Sequence, residues 1–118
     1  MSRISSDDDG PRALAAKVDK QRVPSATGSL TLSGDGSTKS GILRVHGMPT
    51  LNSDSTYQIW VKRDGEIISS SLFTVGRNGE GAGAIPENLD GADAVMVTRE
   101  MAGGARAPSE APVLSVSL

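Results

Sequence analysis

The chain contains no cysteine. That single absence excludes disulfide staples, thiol nucleophiles and thiolate zinc sites. There is one histidine, His46, so a two-histidine metal site is out of reach and a Ser-His-acid triad would depend on that one ring. His46 stands at the end of a strand-like run, just before Gly47-Met48-Pro49, and reads as an exposed loop residue. Aromatic side chains number three, Tyr57, Trp60 and Phe73, so a core has to be built mainly from Val, Leu, Ile and Ala. No apolar run reaches the ~18 residues a spanning helix needs. No segment keeps a helical period, and no solenoid repeat is present. Twelve basic and 14 acidic residues leave a net charge of −2 and a pI near 5.3. Phosphate recognition needs a basic patch, so nucleic acid is not an expected partner. These absences together predict no metal, no cofactor and no catalysis.

The chain is rich in turn formers and short alternating runs. Fourteen Gly and six Pro over 118 residues favour many turns over long helices. A chain of this length forms one domain and buries roughly 65% of the surface its unfolded form exposes. Residues 1 to 12 are polar, with Asp7-Asp8-Asp9 ahead of Gly10-Pro11. They have too little apolar surface to offset their ordering entropy and read as a flexible leader before a domain spanning 13–118. The Asp run lacks the alternate spacing and distant Glu of a calcium loop and reads as a solvated tail.

Ala13 to Val18 fits a strand or a single helical turn, and Pro24 stops it. Ser29-Leu30-Thr31-Leu32-Ser33 alternates as a half-buried strand does, and Gly34-Asp35-Gly36 turns the chain. Gly41 to His46 is a second strand, with Leu43 and Val45 on one face. Thr56 to Lys62 is the clearest, with Tyr57, Ile59 and Val61 facing one way and Gln58, Trp60 and Lys62 the other. Asp64-Gly65 signals a two-residue hairpin into Glu66–Ser70, and Ser71 to Val75 continues after a bulge. Asn78-Gly79 predicts a second hairpin turn of type I′ leading to Gly81–Ile85. Ala94–Thr98 and Val113–Leu118 complete the series. Seven or eight short strands with turns between them predict an all-β antiparallel sandwich, immunoglobulin-like in character; a small closed barrel is the alternative.

Each candidate for chemistry has a plainer explanation. Gly79-Glu80-Gly81-Ala82-Gly83 has the look of a phosphate-cradling loop, but it runs toward Ile85-Pro86 instead of a helix N-terminus and reads as a small-residue strand packed under a neighbour. Asp54, Asp64, Glu66 and Glu100 offer carboxylates, with Asp64 committed to a turn. Gly103-Gly104 reads as a turn needing positive φ. Tyr57 and Trp60 are the candidate binding aromatics. An exposed Trp60 could stack on a sugar or anchor a partner, whereas a buried one would be core.

The order of Gly41–Val45, Gly47-Met48-Pro49-Thr50-Leu51, Tyr57-Gln58-Ile59-Trp60-Val61, Asp64-Gly65, Leu72-Phe73-Thr74-Val75, Asn78-Gly79, Gly91–Val95 and Val97–Gly104 resembles the C-terminal, extracytoplasmic domain of the anti-sigma-K factor family. The resemblance covers about Leu30 to Leu118. It departs at Met101, where Pro is common, and at Ala105, where Ser is usual. It implies a regulatory module outside the cell membrane, carried by a single-pass parent whose staged proteolysis releases a sigma factor. On that view the chain is an excised outer piece. Its expected partners are a site-1-type protease or an extracytoplasmic signal, with no direct sigma-factor binding and membrane contact only through the anchor helix of the parent. The alternative is a cell-surface module that binds a ligand or glycan.

Overall fold

The structure is a computed structural model and describes residues 11–118 apart from Gly36. The expected leader lies almost wholly outside the described residues, as does Asp7-Asp8-Asp9. The described residues contain no helix and form nine strands: β1 (Arg12–Ala15), β2 (Lys17–Val18), β3 (Thr27–Asp35), β4 (Thr38–His46), β5 (Ser55–Arg63), β6 (Glu66–Phe73), β7 (Gly81–Ile85), β8 (Ala94–Met101) and β9 (Leu114–Ser117). They build two antiparallel sheets, one ordered β1-β3-β4-β7 and the other β2-β9-β8-β5-β6. The expected sandwich is therefore the fold, with nine strands in place of seven or eight. The additional strand arises because Ala13–Val18 divides. β1 pairs with β3 in one sheet, and after Ala16 the chain crosses so that β2 pairs with β9 in the other.

Alternation positions the core. Leu30 and Leu32 on β3, Leu43 and Val45 on β4, Tyr57, Ile59 and Val61 on β5, Val95 and Val97 on β8, and Leu114 and Val116 on β9 all point between the sheets and are buried. Tyr57 and Phe73 stack across β5 and β6 with ring centroids 5.4 Å apart, an arrangement worth about 0.5–1.5 kcal/mol beyond area burial. The Tyr57 hydroxyl donates to the Pro49 carbonyl at 2.6 Å, and burial pushes its pKa up. Gly83 lies where a Cβ would come 2.7 Å from Ile59 Cδ1. The glycine-rich run is thus the closely packed strand β7, not a phosphate cradle.

Two turns show what local chemistry decides. At Asp64-Gly65 both φ values are positive, 52° and 81°, the geometry a type I′ hairpin requires. The β5–β6 register then shifts opposite Ile59, where Ser70 and Ser71 form the expected bulge. At Asn78-Gly79 the expectation fails in kind. Only Gly79 has positive φ, 80°; its N–H donates to Gly76 O, and Gly76 N–H donates to Glu80 O. Asn78 Oδ1 accepts from Glu80 N–H. The turn is real, but it carries the chain from β6 in one sheet to β7 in the other. Likewise, β3 runs through Asp35, which pairs with Thr38, instead of ending at Gly34.

Candidate functional site

The strand alternation that sends Tyr57, Ile59 and Val61 inward sends Thr56, Gln58 and Trp60 to the outer face of the five-stranded sheet. On β8 the same parity places Thr98 and Glu100 beside them, with Gln58 opposite Thr98 and Thr56 opposite Glu100. Solvent normally meets such a face. Here Trp60 and Thr98 are 0% exposed, Gln58 1% and Glu100 5%. Among the described residues, Thr56, Gln58, Thr98 and Glu100 are the buried polar side chains, and all four lie on this one face. Trp60 is buried, but beneath the outer face and not between the sheets.

The face is covered by residues 102–112 of the connection from β8 to β9, which fold back as a strap. Gln58 grips it at Ala105, accepting the backbone N–H on Oε1 at 2.8 Å and donating from Nε2 to the backbone carbonyl at 3.0 Å. The second Nε2 hydrogen goes to Ser69 Oγ at 3.3 Å. Beneath the strap runs a hydrogen-bond chain. Trp60 Nε1–H donates to Thr98 Oγ1 at 2.8 Å, and the Thr98 hydroxyl donates to Glu100 Oε2 at 2.6 Å. The same carboxylate oxygen accepts the Ser109 N–H at 3.0 Å. Burial raises the Glu100 pKa, but the donors from Thr98 and Ser109 outweigh it and hold the carboxyl below its ordinary value.

The far end of the strap is clamped by charge. Glu110 accepts from the Arg99 backbone N–H at 2.8 Å and from the Arg99 guanidinium at 3.1 and 3.3 Å. Arg22, from the β2–β3 connection, stands 3.2 Å from Glu110 and 2.7 Å from Asp19. Its Nη2 also donates to the carbonyls of Ala111 and Pro112 at 2.9 and 2.7 Å. For Glu110 too, burial pushes the carboxyl up, and the hydrogen bonds and charge of Arg99, with the charge of Arg22, bring it below the usual range. At the near end, Ala102 N–H donates to Asp54 O at 2.8 Å, and the chain turns through Gly103 and Gly104 at φ 94° and 88°. The positive φ expected of the two glycines is present. Met101, one of the two departures from the family pattern, ends β8 and is 79% exposed. Ala105, the other, is held through its main chain.

The sequence-derived candidates are dispersed. Tyr57 is 0% exposed inside the sandwich and Trp60 is 0% exposed beneath the strap, so neither offers a ring face to solvent. His46 is exposed at the end of β4, its Nδ1 3.6 Å from Glu80 Oε2. Asp64 and Glu66 sit at the opposite end of β5 from Asp54 and Glu100. A cleft of about 450 Å³ between Leu51, Thr56, Val75 and Gly103 has no Asp, Glu, His, Lys or Arg in its lining. No group of three metal-ligand side chains occurs among the described residues. Sequence reading missed Gln58, Thr98, Glu110 and Arg22 as a unit. The parity of Gln58 with Trp60 was visible; the pairing of Arg22 with a residue 88 positions on was not.

Among the described residues no helix is long and apolar enough to cross a membrane. Comparison with curated proteins and with solved structures produced no match. The family described as anti-sigma-K factor rskA, C-terminal, matches residues 2–113, and the chain belongs to that family of anti-sigma factor domains.

Proposed function

We propose that this domain is the extracytoplasmic regulatory module of a membrane-anchored anti-sigma factor, and that its folded state limits a protease's access to the polar leader ahead of β1, which joins it to the anchor. The anti-sigma role is that of the family; the location, the proteolysis and the shielding are the proposal. One observation carries it. Both candidate recognition aromatics are spent on stability, Trp60 under the strap and Tyr57 in the core. A glycan-binding module would need a ring face that this surface does not present, whereas a shield needs a closed and cooperative fold. The domain itself holds neither sigma factor nor nucleic acid and performs no chemistry. Its partner is a site-1-type protease or a signal that controls one.

Because the frequency of opening follows stability, weakening the fold should mimic the signal. Trp60→Ala removes a wholly buried ring and should cost about 3–5 kcal/mol. In cells carrying the full-length parent with this change, cleavage and sigma-dependent transcription should rise without inducer, with the weakening confirmed by melting the purified domain. Baseline cleavage and transcription from a clearly destabilised domain would refute the shield.

A further inference from the structure

The strap is held in the manner of a bound peptide. Gln58 contacts both the N–H and the C=O of Ala105. Glu100 accepts the Ser109 N–H, and Arg22 donates to the carbonyls of Ala111 and Pro112. These groups read main chain, and any extended segment presents main chain. The one side chain of the strap that the site grips strongly is Glu110, between Arg99 and Arg22. The strap otherwise supplies small residues, Gly, Ala, Pro and Ser, and Arg106, which is exposed. None of residues 102–112 is itself buried, although the face beneath them is. The strap hinges on Gly103 and Gly104, both at positive φ. The connection reaches a buried anchor only at Val113, where it enters β9; a segment such as 102–112, held mainly through its backbone, is replaceable by another chain of the same character.

We infer that the outer face of β5 and β8 is a peptide-binding groove, floored by Gln58, Trp60, Thr98 and Glu100 and closed by the chain's own strap as a built-in competitor. Its ligand is an extended, small-residue, proline-containing peptide of another protein, with a free N–H at the place of Ala105 and a carboxylate at the place of Glu110. The arginine pair fixes that carboxylate, and the single Gln amide fixes the register. Tethering gives the strap an effective concentration on the order of millimolar, so the groove opens to a competitor only when the clamp is loosened. The inference concerns a ligand and stands apart from whether the domain shields a cleavage site.

Trp60 is the only tryptophan in the chain, so its emission reports the groove. The probe is a synthetic peptide of residues 103–112, which contains no aromatic residue, added to the full chain carrying Glu110→Ala to release the clamp. The expected result is a saturable change in Trp60 emission. A peptide with Ala105→Pro lacks the N–H that Gln58 accepts, and it should bind about tenfold more weakly or worse, the scale of one buried hydrogen bond left unmade. Gln58→Ala in the protein should cost a similar factor and abolish the difference between the two peptides. Absence of a saturable signal at several times the on-the-order-of-millimolar tether concentration would overturn the inference, as would equal binding of the proline peptide. If Glu110→Ala does not fold, Glu110→Gln loosens the clamp instead, and that chain is titrated while the Trp60 indole N–H and the Ala105 amide are followed by NMR. Displacement moves both signals, and their remaining fixed at saturating peptide overturns the groove.

Discussion

Glu100 is the group on which the strap and the sheet face both depend, and Glu100→Gln tests that dependence. The carboxylate is 5% exposed and accepts from the Thr98 hydroxyl and the Ser109 N–H through one oxygen. Hydrogen bonds to a charged group contribute about 1.5–3 kcal/mol each, against about 0.5–1.5 for neutral ones. Replacing the charge by an isosteric amide keeps the shape and reduces both bonds to the neutral class, so the loss should be about 2 kcal/mol. For a domain of this size that lowers the melting temperature by roughly 6–10 °C. The same substitution should reshape the acid limb of the stability profile. The folded pKa of Glu100 lies below its ordinary value of 4.5. Its contribution is therefore present above pH 4.5 and is lost as pH falls through the folded value. Wild type and Glu100→Gln should differ most above pH 4.5 and converge below it, in urea titrations followed by Trp60 emission between pH 3 and 7. A difference that stays constant across that range, or a variant within 0.5 kcal/mol of wild type at neutral pH, would refute the assignment of the charge to the strap network.

The turn glycines separate strain from crowding. Gly47→Ala places a Cβ 2.1 Å from Ser25 O at φ +67°, whereas Gly65→Ala meets nothing within 4 Å at φ +81°. Gly65→Ala should cost only the left-handed conformation, about 1–2 kcal/mol, and Gly47→Ala clearly more; equal losses in denaturant melts would contradict the packing at Gly47. Apart from residues 1–10, limited trypsin digestion should cut first after the exposed Arg106, because the strap is tied by side chains and not by a sheet ladder. Mass spectrometry that finds the first cut after Arg77 or inside a strand would show the strap to be held more firmly than its tethers imply.

Much of the fold was legible because it is local. Alternation placed Leu43 with Val45, and Tyr57 with Ile59 and Val61, on one face of their strands, and a side chain's parity along a strand needs no knowledge of the partner strand. Asp64-Gly65 chose its own turn, since few other dipeptides accept two positive φ values. Asn78-Gly79 carried the same signal and gave a different outcome, because the strands on either side had already been claimed by different sheets. The crossing after Ala16 likewise followed from which edges were free to pair, a global matter. The outer face was half legible: parity along one strand put Trp60 with Gln58, and it did not say that β8 brings Thr98 beside them or what covers them. Only tertiary structure brought Ala105 onto Gln58, Ser109 onto Glu100 and Arg22 onto Glu110. Those contacts join residues 9 to 88 positions apart through side-chain hydrogen bonds, which leave no periodicity in the sequence. A period-2 pattern reports that a face will be buried between sheets, whereas a strap over the opposite face is decided by where a small-residue loop comes to rest once the sheets have formed.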